Sequence, residues 1–185
     1  MRNVDKVVAP YPKQLETTAA ARDGTPIRLR PLRPEDEDLL QDLLHHMSRE
    51  DVRLRFFAPI RELSHALAER LSRLDYDHEM ALLAEHDGTT LGVARYAGEA
   101  DRRRAEFAVA VRSDWKGRGV GYLLMTHLVE IARQAGIGEL YGLVLAENQP
   151  MLAMCRELGF RIAPHPGDAT LVTAHKTLGG ETAAG

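Results

Sequence analysis

The stretch from Glu106 to Ala135 constrains this chain more than any other. An apolar run, Phe107-Ala108-Val109-Ala110-Val111, gives way to a polar turn, Arg112-Ser113-Asp114-Trp115. Lys116-Gly117-Arg118-Gly119-Val120-Gly121 follows, and then an amphipathic segment that runs to Ala135. The order predicts strand, glycine-rich loop and helix. The first turn of a helix leaves backbone N–H groups without partners, and the helix dipole adds partial positive charge there. Both effects stabilise an anion at that end. Glycines at 117, 119 and 121 remove Cβ atoms, so a diphosphate can approach the main chain, and they permit backbone angles that other residues avoid. Lys116 and Arg118 add two positive charges beside the same spot.

A Gly-x-Gly-x-Gly turn alone is a weak signal. A P-loop requires Gly-x4-Gly-Lys-Ser/Thr, which is absent, and a dinucleotide fingerprint places its third glycine one residue later. The hexad does match the acetyl-CoA signature Gln/Arg-x-x-Gly-x-Gly/Ala, with Lys116 first, Gly119 fourth and Gly121 sixth. Lysine at the first position is a mild departure. Downstream, Leu143-Val144-Leu145-Ala146-Glu147-Asn148 reads as a strand ending in Asn, and Met151 to Phe160 as a helix ending in Leu158-Gly159-Phe160. In this combination, residues 27 to 177 resemble the GNAT superfamily of N-acetyltransferases. The resemblance implies an α/β (α+β) single domain with a mostly antiparallel mixed sheet, a central βαβ acetyl-CoA-binding unit, and acetyl-CoA as cosubstrate.

Bulk properties narrow the class. At 185 residues one domain is expected, long enough to bury a substantial core. A net charge of −3 and a pI of about 6.2 argue against a nucleic-acid partner. The one cysteine, Cys155, precludes an intramolecular disulfide and suits a reducing compartment. No apolar run of about 18 residues predicts a membrane span, and the N-terminus lacks an apolar h-region. The expectation is a cytoplasmic protein. Eight histidines include His45-His46, but none has metal-ligand spacing, so no metal is expected.

Along the chain, residues 1–25 read as a flexible lead-in, 26–178 as the domain and 179–185 as a disordered tail. Ile27 to Arg30 alternates as a first strand. Pro34 and the acids after it open a helix with Leu39, Leu40, Leu43, Leu44 and Met47 as its stripe. Ser48 and Ser64 are candidate caps of two further helices. Met80–Glu85 and Thr90–Tyr96 read as a hairpin about Asp87-Gly88. The strand before the glycine loop is placed at about 105–112. On the helix after that loop, Leu124, Leu128, Ile131 and Ala135 share one face. Glu139–Leu145 is a strand, and 160–163 can pair with 170–176.

Acetyl transfer to an amine faces one obstacle first. Deprotonating a lysine-like ammonium at pH 7 costs about 4.6 kcal/mol. Strand alternation puts Glu106, Ala108 and Ala110 on one face and Phe107, Val109 and Val111 on the other. The resemblance implies that Glu106 is a general base. The competing reading is an exposed glutamate paired with Arg102, Arg103 or Arg104. The resemblance also implies an oxyanion donor at the backbone N–H of Val109 or a neighbour, and pantetheine contacts along Val109, Ala110 and Val111. Diphosphate contacts fall on Lys116, Gly117, Arg118, Gly119, Val120, Gly121 and Tyr122. Asn148 and Met151 hold the other side, Asn148 being equally readable as a helix cap. Where this superfamily often has a proton-donating tyrosine, this chain has Cys155. It reads either as a weak donor or as a small buried hydrophobe. Phe56-Phe57 reads as core, with one ring as a possible channel wall.

Four stretches resemble the bacterial protein lysine acetyltransferases of the Pat type. They are Arg55-Phe56-Phe57, Asp75 to Ala81, Ala105-Glu106-Phe107, and Asn148-x-x-Met151-Leu152. This implies a protein lysine acceptor such as an acyl-CoA synthetase. The regulatory domains that many Pat enzymes carry are not expected in 185 residues. Two other readings stand beside it: a small-molecule amine acetyltransferase, and a non-catalytic acyl-CoA-binding module.

Overall fold

A computed structural model describes residues 9–179. Eight strands form one sheet: β1 (Thr17–Ala20), β2 (Pro26–Pro31), β3 (Glu79–His86), β4 (Thr89–Gly98), β5 (Arg104–Val111), β6 (Glu139–Leu145), β7 (Arg161–Pro164) and β8 (Leu171–Thr177). Their order is β1-β2-β3-β4-β5-β6-β8-β7. Every neighbouring pair is antiparallel except β5 and β6. That parallel pair is joined through helix α4 (Val120–Gln134), which makes the expected βαβ unit.

Helices cover both faces. One face carries α1 (Glu37–His45), α2 (Arg49–Phe56) and α3 (His65–Ser72), which bury Leu40, Leu44, Val52 and Ala68 against Ala81 and Leu83 of β3. The other carries α4 and α5 (Gln149–Glu157), packed on Met80, Leu82 and Ala84 of the same strand. Period-two alternation thus sends successive β3 side chains into two cores. Ser48 and Ser64 cap α2 and α3, accepting from Asp51 N–H at 3.1 Å and Leu67 N–H at 3.2 Å. On α4 the stripe is wider than the four positions expected: Met125, Val129 and Ala132 are buried beside Leu124 and Leu128.

The N-terminal expectation needs correction. Residues 17–20 are not a loose lead-in but strand β1, paired with β2 from Thr17↔Leu29 to Ala20↔Pro26. Thr17-Thr18-Ala19-Ala20 shows no apolar alternation because it is a mostly exposed edge strand, held chiefly by backbone bonds. Residues 1–8 and 180–185 lie outside the described residues. A buried ion cluster fastens β2 to β3. The Arg30 guanidinium, 5% exposed, meets Asp36 at 2.7 Å and Glu85 at 3.0 Å.

The sheet forks at its centre. β5 and β6 pair only at Arg104↔Glu139, Ala105↔Leu140 and Glu106↔Tyr141, although both strands continue. Just beyond the last pair, the Phe107 ring lies over Gly142, where a Cβ would come within 2.8 Å of two ring carbons. The ring also meets Phe160 edge-on at 5.1 Å. Only glycine at 142 admits this close approach.

Candidate active site

A cleft of about 410 Å³ occupies the fork. Arg112 N–H donates to Leu91 O at 2.8 Å, and Arg104 O accepts from Glu99 N–H at 3.0 Å. The even-numbered main-chain groups of β5 therefore face β4. Alternation turns the N–H and C=O of Phe107, Val109 and Val111 toward the open fork. A strand-like ligand laid there meets donors and acceptors at the expected positions.

The loop closes one end of the cleft. Gly119 stands at the N-cap of α4 with φ of +88°, a conformation L side chains avoid. A Cβ there would lie 3.1 Å from Arg22 Cγ. The first bond of the helix runs from Leu123 N–H to Gly119 O at 3.0 Å. The N–H groups of Val120, Gly121 and Tyr122 precede it and point out along the axis. No side chain caps this end, so it is built to take an anion.

The loop's two expected cations behave differently. Lys116 lines the cleft, but its ammonium is 2.5 Å from Asp51 Oδ1. Arg118 turns away: it stacks 3.6 Å from the Trp115 ring and pairs with Asp23 at 2.7 Å. Hydrogen bonds from Thr25, and then that pairing, hold the Asp23 carboxyl far below the usual range. The Arg118 guanidinium thus braces the loop rather than lining the cleft. Arg22, in the segment read as lead-in, lies beside Gly119 and lines the cleft instead.

Val109, Ala110, Val111, Lys116, Gly117, Gly119, Val120, Gly121, Tyr122, Asn148 and Met151 are brought together around this one cleft. Asn148 fills both of its readings. Its Oδ1 accepts from Met151 N–H at 3.3 Å as the cap of α5, while the residue also lines the cleft.

Glu106 sits at the root of the fork and lines the cleft. The arginines that could have claimed it are engaged elsewhere: Arg102 with Asp77, Arg103 with Asp101, Arg104 with Glu139. Across from it stands Tyr141, whose hydroxyl burial, and then the Glu106 charge, raise above its ordinary range.

Helix α2 walls the cleft through Asp51, Leu54 and Arg55. Asp51 ties it to the loop through Lys116 and through Ser113 Oγ, which donates at 2.5 Å. Arg53 ties it to Glu147 on the opposite lip, also at 2.5 Å. Arg55, Leu54 and Phe57 then face the cleft. Of the two phenylalanines, Phe56 packs into the core and Phe57 stays exposed at the cleft wall.

Cys155 is not at the site. It is fully buried among the α5 core contacts, does not line the cleft, and burial pushes its thiol up to about 11. The helical period that brings Met151 and Met154 to the cleft turns position 155 inward. The Asp75–Ala81 stretch is structural too. Asp75 Oδ1 accepts from the N–H groups of Asp77, His78 and Glu79 at 2.9–3.0 Å, shaping the entry to β3.

Sequence reasoning passed over Arg22 and Asp51 as site residues and used Arg55 only as a mark of resemblance. All three line the cleft from segments distant in the chain. Among the described residues no cluster of metal-binding side chains exists, and no helix is long and apolar enough to cross a membrane.

A forked parallel pair with outward main-chain groups, ending at an uncapped helix N-terminus, defines a transferase that holds an acyl-CoA. Residues 39–160 match the model of the Acetyltransferase (GNAT) family, and the chain belongs to that family. It is an acetyl-CoA-dependent acetyltransferase. It is 34% identical over 154 residues to an acetyltransferase of Pseudomonas aeruginosa, covering 81% of this chain and 83% of that one. It is 31% identical to Acetyltransferase Pat of Mycolicibacterium smegmatis over 82% of this chain, but spans only 44% of that longer protein. The solved GNAT domain of Streptomyces lividans Pat superposes with a TM-score of 0.86 at 28% identity, over 91% of this chain and 99% of that domain. A shorter match, 29% identical over half of this chain and 56% of the relative, is to an L-methionine sulfoximine/L-methionine sulfone acetyltransferase of Pseudomonas aeruginosa.

Proposed function

We propose that this protein acetylates a lysine ε-amine of a protein by direct attack within a ternary complex, with Glu106 as general base. The observation that carries the reading is the Glu106 carboxylate. It lines the cleft at the root of the fork, and Arg102, Arg103 and Arg104 are paired elsewhere. Glu106 takes the ammonium proton, and the freed nitrogen attacks the thioester carbonyl. Val109 N–H, turned into the fork, stabilises the oxygen on which charge develops. The main chain of Val109 and Val111 bonds the pantetheine arm like an added strand, with Asn148 opposite. The N–H groups at 120–122, with Arg22 beside them, receive the diphosphate. The leaving thiolate needs no proton from Cys155.

The likeness to the Pat GNAT domain supports a protein acceptor, and an acyl-CoA synthetase is the acceptor class that goes with it. A cytoplasmic setting suits a chain whose one cysteine is buried and forms no disulfide within it. A small-molecule amine is the second reading, supported by the methionine sulfoximine relative. Labelled acetyl-CoA, added with this protein to a lysate of its source and separately to a panel of free amines, tests the choice. Label on protein lysines supports the first reading, and label confined to free amines overturns it.

A further inference from the structure

Helix α2 carries five charged side chains, and three have partners: Glu50 with Arg53, Arg53 also with Glu147, and Asp51 with Lys116; Arg49 is exposed at the first turn, in solvent. Arg55 differs. It is half-buried, lines the cleft, and its guanidinium lies over the Phe56 ring at 4.6 Å. Among the described residues it has no hydrogen-bond or ion-pair partner, and Glu106 reaches it only through its charge. Among the described residues Thr90 Oγ1 is the one sealed side-chain polar atom without a partner, so the Arg55 nitrogens are not sealed from solvent, and the residue lines the cleft.

A half-buried guanidinium without a bonded anion keeps only part of its hydration, so an anion docked on it gains a charge-assisted partner at little desolvation cost. Burial lowers the Arg55 pKa, and the Glu106 charge only partly offsets it. Arg95 strengthens the demand. It is the cross-strand partner of Ala108, two residues from Glu106, and among the described residues its side chain bonds Leu71 O at 3.1 Å. Burial, and then the Arg55 charge, bring it down to about 10, with Glu79 acting in the opposite sense. When an acceptor ammonium docks on Glu106, it takes up the carboxylate whose charge acts on Arg55. An acceptor that brings its own carboxylate restores the balance.

We infer that Arg55 is an anion subsite for the acceptor, and that the amine acetylated here has a carboxylate close beside it. This rests on the reading of Glu106 as the base. The carboxylate is either the α-carboxylate of a free amino acid or an acidic side chain next to an acceptor lysine. The charge-assisted, bidentate pairing that arginine offers suits both.

Two matched sets separate these sources: free L-amino acids against their carboxamides, and lysine peptides flanked by Glu against the same peptides flanked by Gln. In one set the carboxylate member should show a kcat/KM about 10- to 100-fold above its neutral partner. Arg55→Gln should bring that ratio close to one, mainly through KM, and Arg55→Lys should restore part of it. Coenzyme A titration by calorimetry reports whether each variant is folded. No preference in the wild type, including no turnover of any carboxylate member, overturns the inference, as does a ratio unmoved in Arg55→Gln. Equal acetylation of acidic and neutral lysine peptides would remove this subsite and leave the lysine reading standing. Acetylation of free amino acids alone would do the reverse.

Discussion

The Lys116 ammonium and the Asp51 carboxylate, 65 residues apart, meet at 2.5 Å and join the glycine-rich loop to helix α2. Burial acts to raise the Asp51 pKa, but the bonds from Lys116 and Ser113 outweigh it and the net shift is downward. A carboxyl lowered on folding adds stability in full above its unfolded pKa of about 3.9, and loses it as pH falls through the folded value. Asp51→Asn should therefore cost about 1 kcal/mol in urea unfolding at pH 7. The gap from wild type should begin to narrow as pH falls below about 4, and should close only once pH has fallen through the lower folded value, where the wild-type carboxylate is protonated as well. A gap that persists unchanged in acid would show that charge is not the cause.

Glu106→Gln keeps the shape of the site and removes the proton acceptor. Loss of a positioned base should lower kcat by about 10²–10⁴ at pH 7, with acetyl-CoA binding by calorimetry unchanged. The deficit should narrow as pH approaches the amine's own pKa of about 10.4, because more of the acceptor arrives already neutral. A pH–rate profile parallel to the wild type would remove Glu106 from the mechanism.

Gly119→Ala places a Cβ at φ +88° and 3.1 Å from Arg22 Cγ. The left-handed backbone alone costs about 1–2 kcal/mol, which lowers Tm by about 2–8 °C for a chain of this size. The loop amides move with it, so KM for acetyl-CoA should rise about tenfold or more while acceptor KM changes little. Steady-state kinetics in both substrates check this.

Cys155→Ala tests a residue that the sequence left open. A sealed thiol held near 11 has no part in proton transfer, so kcat should stay within about twofold of wild type. The same burial should keep the native thiol unreactive toward a disulfide reagent until denaturant is added. Loss of activity with an intact circular dichroism spectrum would contradict the assignment.

Much of this protein is legible in its sequence. Lys116 to Gly121, the caps Ser48 and Ser64, the Asp87-Gly88 hairpin and the face shared by Glu106, Ala108 and Ala110 are all local. Each follows from backbone rules that act over a few residues, so spacing alone reveals it. Tertiary structure alone decided the rest. It brought Arg22 to the loop through an edge strand with no apolar pattern, turned Arg118 onto Trp115 and Asp23, and set Asp51 on Lys116. It also freed Glu106 by pairing Arg104 with Glu139, sealed Cys155, and opened the fork where Phe107 lies over Gly142. These relationships span tens of residues. The partner of a charge and the depth of a side chain depend on which elements pack together, and no local pattern encodes that.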